Sequence, residues 1–391
     1  MDKRKSNILI FPGYFLPHIG GLETHVDEFV KYLSKDENIQ ITIFAPNLPK
    51  TFEDERIHTK VEVIRYPAFE LVSNFPVPKF WSIKFWKLFF SLYSKDVDIV
   101  MTRTRFFTNS TLGLIFAKFR LKTRKLIHVE HGSEYVKLSS KFKSFCAYCY
   151  DRTFGWAMFN MADKTVAISK AVHTFVTKEF IQKEKVPVIY RGVDFSIYDS
   201  TKKELDLENK FKNKTKCLFL GRLYKWKGVD QSIQAFKQLP KKVRDKTVFL
   251  IVGDGEDRSR LEELAGSELN KTIFFLGSVS FSKAITILKS CNVYVHSAFP
   301  GGGLSNSLLQ AMYCELAIVA SPHEGANEVI NAQTGIVLKD NSVDELARGL
   351  IEILSSVKLQ KKLGMNAKKL ILTDFDWNNV VKKYKQIFDT I

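Results

Sequence analysis

Short apolar runs separated by amphipathic segments recur along the whole chain, the pattern of strands alternating with helices around a parallel sheet. In the first half the runs cover residues 7–11, 40–45, 99–101, 125–129 and 165–168; in the second they cover 216–220, 247–252, 272–276, 293–296 and 317–321. The two sets match in number. Between them lies IYDSTKKELDLENKFKNKT, rich in charge and poor in core residues, which places a boundary near residues 195–215. The predicted fold class is α/β, with two tandem Rossmann-like, doubly wound domains over residues 1–195 and 196–373. Residues 374–391 follow as a final helix, from about 378 to 391, behind the tripeptide FDW. Its periodicity does not say where it packs. Ligands of doubly wound domains bind beyond the carboxyl ends of the strands, so two such domains facing each other predict a central cleft lined by both.

Length supports the division, because 391 residues exceed the ~100–200 of a usual single domain. A hydrophobic share of 45% and a charged share of 26% are those of an ordinary globular chain and exclude disordered, collagen-like and multi-spanning classes. No uncharged run reaches the ~18 residues of a spanning helix; the richest stretch, 142–162, is cut by Lys143, Asp151 and Arg152. The N-terminal segment has basic residues before an apolar run, as a signal peptide does. Pro12, Gly13 and Pro17 interrupt it, and the segment reads as a buried strand and its turn. Five cysteines require no disulfide framework, and a reducing, cytoplasmic setting is expected. Cys146 and Cys149 form a CxxC without a second pair, and the expectation is a helix that buries both thiols.

Charge adds a partner. Lys and Arg number 59 against 42 Asp and Glu, a formal +17, which favours nucleic acid, anionic lipid or a phosphorylated substrate. Four motifs narrow the choice. In PHIGGLETHVDEFVKYL, residues 17–33, Gly20 and Gly21 open a helix after the first strand; they suit a phosphate at bare N–H groups or simply a tight turn. In LGRLYKWKGVDQSIQAF, Arg222 and Lys227 flank a turn before a helix, a pair suited to a diphosphate or a solvated basic turn. In HSAFPGGGLSNSLLQAMYCELAIVAS, Gly301 to Gly303 precede a helix beginning near Ser305 and Asn306, which bind an anion or cap the helix, with Gln310 a turn further on. In IHVEHGSEY, His131 follows a strand where it can donate to a ligand oxygen or serve structure. No DxD segment or His/carboxylate cluster stands at a strand's carboxyl end, where it would argue for a metal.

The motifs in this order resemble glycosyltransferase family 4, whose members have the GT-B fold and move a sugar from a nucleotide donor with retention at the anomeric carbon. The resemblance runs from GGLETHV through HGSEY, RGVDFSIY and GRLYKWKG to VGDGE, FLGSVS, LLQAM and EGANEVI. It implies that Gly21 meets the donor phosphate, that Arg222 and Lys227 hold the diphosphate as it leaves, and that Gly277 and Val279 meet the nucleobase. It also implies that Leu304, Ser305 and Asn306 offer amides to the phosphates, that His131 lies by the transferred sugar, and that the last helix crosses back onto the first domain. No cofactor or metal is implied; the nucleotide-sugar is a substrate. Two positions depart. The family usually has glutamates eight residues apart where this chain has Gly302 and Gln310; Gln310 keeps an acceptor for the ribose hydroxyls, and Gly302 supplies no side chain. Arg191 stands where asparagine is common.

For the acceptor, KFWSIKFWKLFFSLYSK, residues 79–95, interleaves Lys79, Lys84, Lys87 and Lys95 with aromatic rings. Such a helix lies in a lipid interface or packs on its own sheet. Residues 79–125 hold eleven basic residues against Asp96 and Asp98, over half the surplus. The expected partners are therefore a nucleotide-sugar, a glycan or polyprenyl-diphosphate-linked acceptor and an anionic membrane surface, with the chain peripheral on the inner face of the membrane. A small soluble acceptor, and a donor-binding protein without turnover, are the alternatives. Nucleic acid is not expected, since no reader motif accompanies the basic stretch.

Overall fold

The computed structural model describes residues 6–18, 21–48, 55–58, 60–72, 75–119, 124–136, 141–181, 186–299 and 304–391. The chain forms two compact units, Met1–Val193 with Trp377–Ile391, and Asp194–Asp376. The first contains β1 (Ser6–Phe11), β2 (Ile39–Pro46), β3 (Glu55–Ile57), β4 (Val61–Tyr66), β5 (Ala68–Val72), β6 (Phe75–Pro78), β7 (Ile99–Arg103), β8 (Lys125–Glu130) and β9 (Lys164–Ala167). Its main sheet runs β3-β4-β2-β1-β7-β8-β9, parallel except for β3, and β5 with β6 makes a separate antiparallel ribbon. The second unit contains β10 (Thr215–Leu220), β11 (Thr247–Val252), β12 (Ile273–Gly277), β13 (Val293–His296), β14 (Ala317–Ala320) and β15 (Gly335–Val337), in the order β12-β11-β10-β13-β14-β15. All its pairings are parallel.

These strands are apolar on both faces because helices cover both. Along β1, Ile8 and Ile10 enter the core beneath helix Gly21–Leu33, while Leu9 and Phe11 enter the opposite core. That two-residue alternation distributes one apolar run between two layers. Each of the ten expected runs is a strand, with ends displaced by two residues at most. The strands not anticipated, β3 to β6 and β15, are short edge or ribbon pieces, or carry polar residues, as Glu62 and Arg65 do within β4.

Helix Trp377–Thr390 belongs to the first unit, where it buries Trp377, Val380, Val381, Tyr384 and Ile387 against Phe29 and Val30. Trp377 is fully buried, and its Nε1 donates to Glu28 Oε2 at 3.3 Å. The polar stretch near 195–215 folds onto the second unit through Tyr198, Leu207 and Phe211, with Thr286 Oγ1 donating to Glu204 and Lys289 Nζ to the Thr201 carbonyl.

Two expectations change. Cys146 and Cys149 are exposed, because helix Lys141–Tyr150 buries only Ala147 among its described side chains. The charge of residues 79–125 is not all superficial either. Arg103, Arg105 and Arg124 are buried, Lys95 pairs with Glu62 at 2.8 Å, and Lys118 pairs with Asp163 at 2.8 Å. Among the described residues no helix is long and apolar enough to cross a membrane.

Candidate active site

In an open parallel sheet the crevice lies where strand order reverses, beyond the carboxyl ends of the two diverging strands. That point falls between β1 and β7 in the first unit and between β10 and β13 in the second. The loops after these strands carry most of the residues singled out in the sequence.

In the first unit, Gly20 lies outside the described residues and Gly21 opens helix Gly21–Leu33. Glu23, in the first turn, is buried and meets His18 Nδ1 at 3.0 Å. His25 is buried one turn in, its ring centroid 5.1 Å from that of His131, so the β1 and β8 ends converge on two histidines. Behind His131 stands a buried carboxylate. Glu130 Oε1 accepts the backbone N–H of His131 at 2.9 Å and of Gly132 at 2.6 Å, and Oε2 accepts the N–H of Arg105 at 3.0 Å. The Arg105 guanidinium reaches Glu130 at 3.2 Å, takes both oxygens of Asp151 at 3.1 and 3.0 Å, and donates to the Glu134 carbonyl at 2.9 Å. The loop bearing His131 is thus held at both ends by one ion triad.

Burial alone would raise the Glu130 carboxyl, but Arg105, His128 and the Gly132 N–H hold it well below the usual carboxylate range. Burial pushes the His131 imidazole down to about 3, and the cations Arg103 and Arg191 add to the shift. His131 is therefore neutral at physiological pH and exchanges hydrogen bonds as an uncharged ring. Its Nε2 is buried without a hydrogen-bond partner among the described residues. Arg103 is in the same condition; its guanidinium lies 4.6 Å over the Phe29 ring, and none of its three nitrogens has a partner among the described residues. Arg191 pairs with Glu28 at 3.4 Å.

In the second unit the loop after β10 carries Arg222, exposed with Nη1 3.0 Å from the Tyr224 hydroxyl, and Lys227, whose ammonium sits 4.1 Å over the Trp226 ring. Desolvation lowers the pKa of Lys227. The loop is laced to its neighbours: Ser297 Oγ donates to the Lys227 carbonyl and the Phe299 N–H to the Trp226 carbonyl, both at 2.9 Å. The Leu223 N–H donates to the Asp254 carbonyl at 2.9 Å. Gly228 closes the turn at φ +63°, where a Cβ would stand 2.1 Å from the Ser297 carbonyl oxygen, so only glycine allows this approach.

Gly277 ends β12 at φ +70°, its carbonyl accepting from the Gly253 N–H at 2.8 Å, and Val279 is half-buried two residues on. Ser305 occupies the N-cap of helix Asn306–Tyr313 without a side-chain cap bond; Leu304 is half-buried and Asn306 exposed. Gln310 is half-buried one turn further. Gly301, Gly302 and Gly303 lie outside the described residues. The Tyr294 hydroxyl ties this end of the sheet together, donating to Ser307 Oγ at 2.8 Å and approaching the Leu220 carbonyl at 3.3 Å. Among the described residues no three His, Cys, Asp or Glu side chains are grouped to hold a metal ion.

A buried histidine pair underlies the same strand ends. His323 Nδ1 accepts the N–H groups of Gly325 and Ala326 at 3.2 and 3.4 Å, so its proton sits on Nε2 and points to His296 Nε2 at 2.8 Å. Burial pushes His296 down to about 3, with His323 and Lys227 adding. The unfolded chain protonates near 6.5, so the stability this pair contributes is present above that pH and is lost as pH falls toward 3. Acid titration of thermal unfolding should show the loss from pH 6.5 downward, at up to ~1.4 kcal/mol per pH unit, and His296→Asn should flatten it. An unchanged slope would remove the histidine from the explanation.

Sequence reasoning found the loops but missed the triad, the Arg103 guanidinium and the histidine pair. For the arginines a signal existed, RTR at a strand's end; Asp151 lies 46 residues from Arg105, and no local pattern joins them. Two Rossmann-like units in tandem, each with its candidate loops at the strand carboxyl ends, are the architecture of the GT-B glycosyltransferases. The family model described as Glycosyltransferase Family 4 matches residues 19–196, and that described as Glycosyl transferases group 1 matches residues 200–370. An uncharacterized glycosyltransferase of Methanocaldococcus jannaschii is 54% identical over 99% of both chains. The N,N'-diacetylbacillosaminyl-diphospho-undecaprenol alpha-1,3-N-acetylgalactosaminyltransferase of Campylobacter jejuni is 25% identical, over 96% of this chain and 98% of that one. Among solved structures, Anabaena HepE in complex with UDP gives a TM-score of 0.71 at 18% identity, over 99% of this chain and 100% of that one. The chain belongs to glycosyltransferase family 4.

Proposed function

We propose that the protein is a retaining, metal-independent glycosyltransferase that carries a sugar from a nucleoside diphosphate to a lipid-linked glycan or saccharide. The setting is surface polysaccharide or glycoconjugate synthesis at the cytoplasmic face of the membrane. The observation that carries this reading is the laced cationic loop at the second unit's switch point, Arg222 to Lys227. Cleaving the bond between the anomeric carbon and the β-phosphate oxygen leaves negative charge on that phosphate. Arg222, Lys227 and the N–H groups of Leu304, Ser305 and Asn306 stabilise it. The departing phosphate oxygen takes the proton from the acceptor hydroxyl as that hydroxyl bonds to the anomeric carbon from the same face. Neutral His131 holds a sugar hydroxyl, Gly21 offers its N–H to the diphosphate, Gly277 and Val279 receive the base, and the Gln310 amide oxygen receives the ribose. The relative from Campylobacter, named for a diphospho-undecaprenol substrate, supports the lipid-linked acceptor, and the basic aromatic helix Ile83–Ser91 supports an anionic membrane surface.

Gly302 and Gln310 favour a second reading, the same fold binding a donor without transferring it. A thermal-shift panel of nucleoside diphosphates and their sugar conjugates tests both, since a specific ligand raises the melting temperature by mass action. One nucleotide should shift the protein and its sugar conjugate should then turn over with a lipid-linked acceptor. A shift without transfer or donor hydrolysis selects the second reading, and no shift by any nucleotide discards both.

A further inference from the structure

The helix predicted to hide its cysteines instead shows the solvent a row of rings. Phe142 is 76% exposed, Phe145 63% and Trp156 51%, on an almost unbroken helical run from Lys141 through the π-helical turn Asp151–Gly155 to Met161. Phe142, Phe145 and Cys149 lie opposite the buried Ala147, so they form the outer face of the helix. Helix Ile83–Ser91 repeats the arrangement. It buries Phe85 and Phe89, while Ile83 and Phe90 are exposed on the far side. Phe85 and Phe89, Phe116 of helix Thr108–Lys118, and Met158 enter one core on one side of the sheet. Helix Ile83–Ser91, helix Thr108–Lys118 and the Trp156–Met161 end of the run therefore cover that side together, and the Tyr150 hydroxyl, 2.7 Å from Thr111 Oγ1, sets helix Lys141–Tyr150 beside helix Thr108–Lys118.

Charge says what covers it. No acid stands between Lys79 and Lys95, and between Lys141 and Met161 the single acid, Asp151, is buried and taken by Arg105. The exposed charges on these two elements, Lys84, Lys87, Lys141 and Arg152, are all cations. A second copy of the chain would bring like charges together, whereas an anionic bilayer meets both the cations and the rings.

We propose that the helical run Lys141–Met161 and helix Ile83–Ser91 form one docking face of the first unit for an anionic lipid surface. This rests on the lipid-linked acceptor reading and adds the second helix to it. The face is tied to chemistry by the buried triad: Asp151 lies on the run itself, Arg105 bridges it to Glu130, and Glu130 holds the N–H groups of His131 and Gly132. A bilayer held against the rings is thereby held at a set height from His131.

The test uses the full chain with vesicles of phosphatidylglycerol and phosphatidylcholine. Wild-type protein should sediment with the anionic vesicles at low salt and release at high salt. The variant Phe142→Ser/Phe145→Ser/Trp156→Ser should partition at least 10-fold less, with unchanged melting temperature and unchanged nucleotide-induced thermal shift. Ile83→Ser/Phe90→Ser should fall similarly. Equal partitioning of variant and wild type overturns the proposal, as does a wild type that ignores vesicles or a dimer in light scattering that the triple variant abolishes. Vesicle binding that depends on the rings, without any glycosyl transfer, would keep the docking face and discard the acceptor reading.

Discussion

Replacing Arg222 by alanine lowers kcat for transfer by about 10²–10³ while the protein melts at its usual temperature. Removing one preorganised donor from a developing anion has an effect of that size, and the Arg222 side chain supports nothing else, being exposed and bonded only to Tyr224 among the described contacts. Lys227→Ala should act similarly on kcat and also weaken nucleoside diphosphate binding, because its half-buried ammonium is already partly stripped of water. The conservative Arg222→Lys should recover part of the rate, since it restores charge but not the planar fork. Rates measured at saturating donor distinguish loss of transition-state stabilisation from loss of affinity. A variant with wild-type kcat would remove Arg222 from the leaving-group site.

The second large effect falls on stability. Arg105→Ala leaves Glu130 and Asp151 as buried carboxylates without their cation, a change that costs about 3–5 kcal/mol when one partner of a buried pair is removed. Urea unfolding followed by circular dichroism should show the first unit's transition moving to lower denaturant while the second unit's stays in place. The sign with pH is definite. Glu130 is held below its ordinary range, so the stability it contributes is present above about pH 4.5 and is lost as pH falls through the depressed value. In Arg105→Ala that acid dependence should weaken or reverse, as burial then favours the protonated acid. A variant as stable as wild type would show that water satisfies both carboxylates.

How far the amino-acid sequence carries differs between the two levels. Strands such as 247–252 and 293–296 could be bounded because a parallel strand covered on both faces is an uninterrupted apolar run, a signal that depends on nothing distant. The candidate loops were also legible, since glycines and paired cations mark strand-to-helix turns locally. What was not legible depends on partners far along the chain. The Arg103, Arg105 and Arg124 guanidinia counted as surface charge in the sequence, yet all are buried, one in an ion triad and two over aromatic rings. Conversely Cys146 and Cys149 counted as core, and the structure exposes them because Ala147 alone among the described side chains of that helix is buried. Composition cannot tell a charge that faces water from one that faces a ring.

The return of helix Trp377–Thr390 to the first unit makes the second unit an insertion within the first. Both chain ends lie in one body, and Asp194–Asp376 is an uninterrupted piece of sequence while its host is two pieces. On the ribosome the second unit can therefore complete itself before the first, whose core stays open beside Phe29 and Val30 until Trp377 and the residues after it have emerged. Shortening the chain by its last fifteen residues would leave the later-folding host, not the inserted guest, without its final core segment.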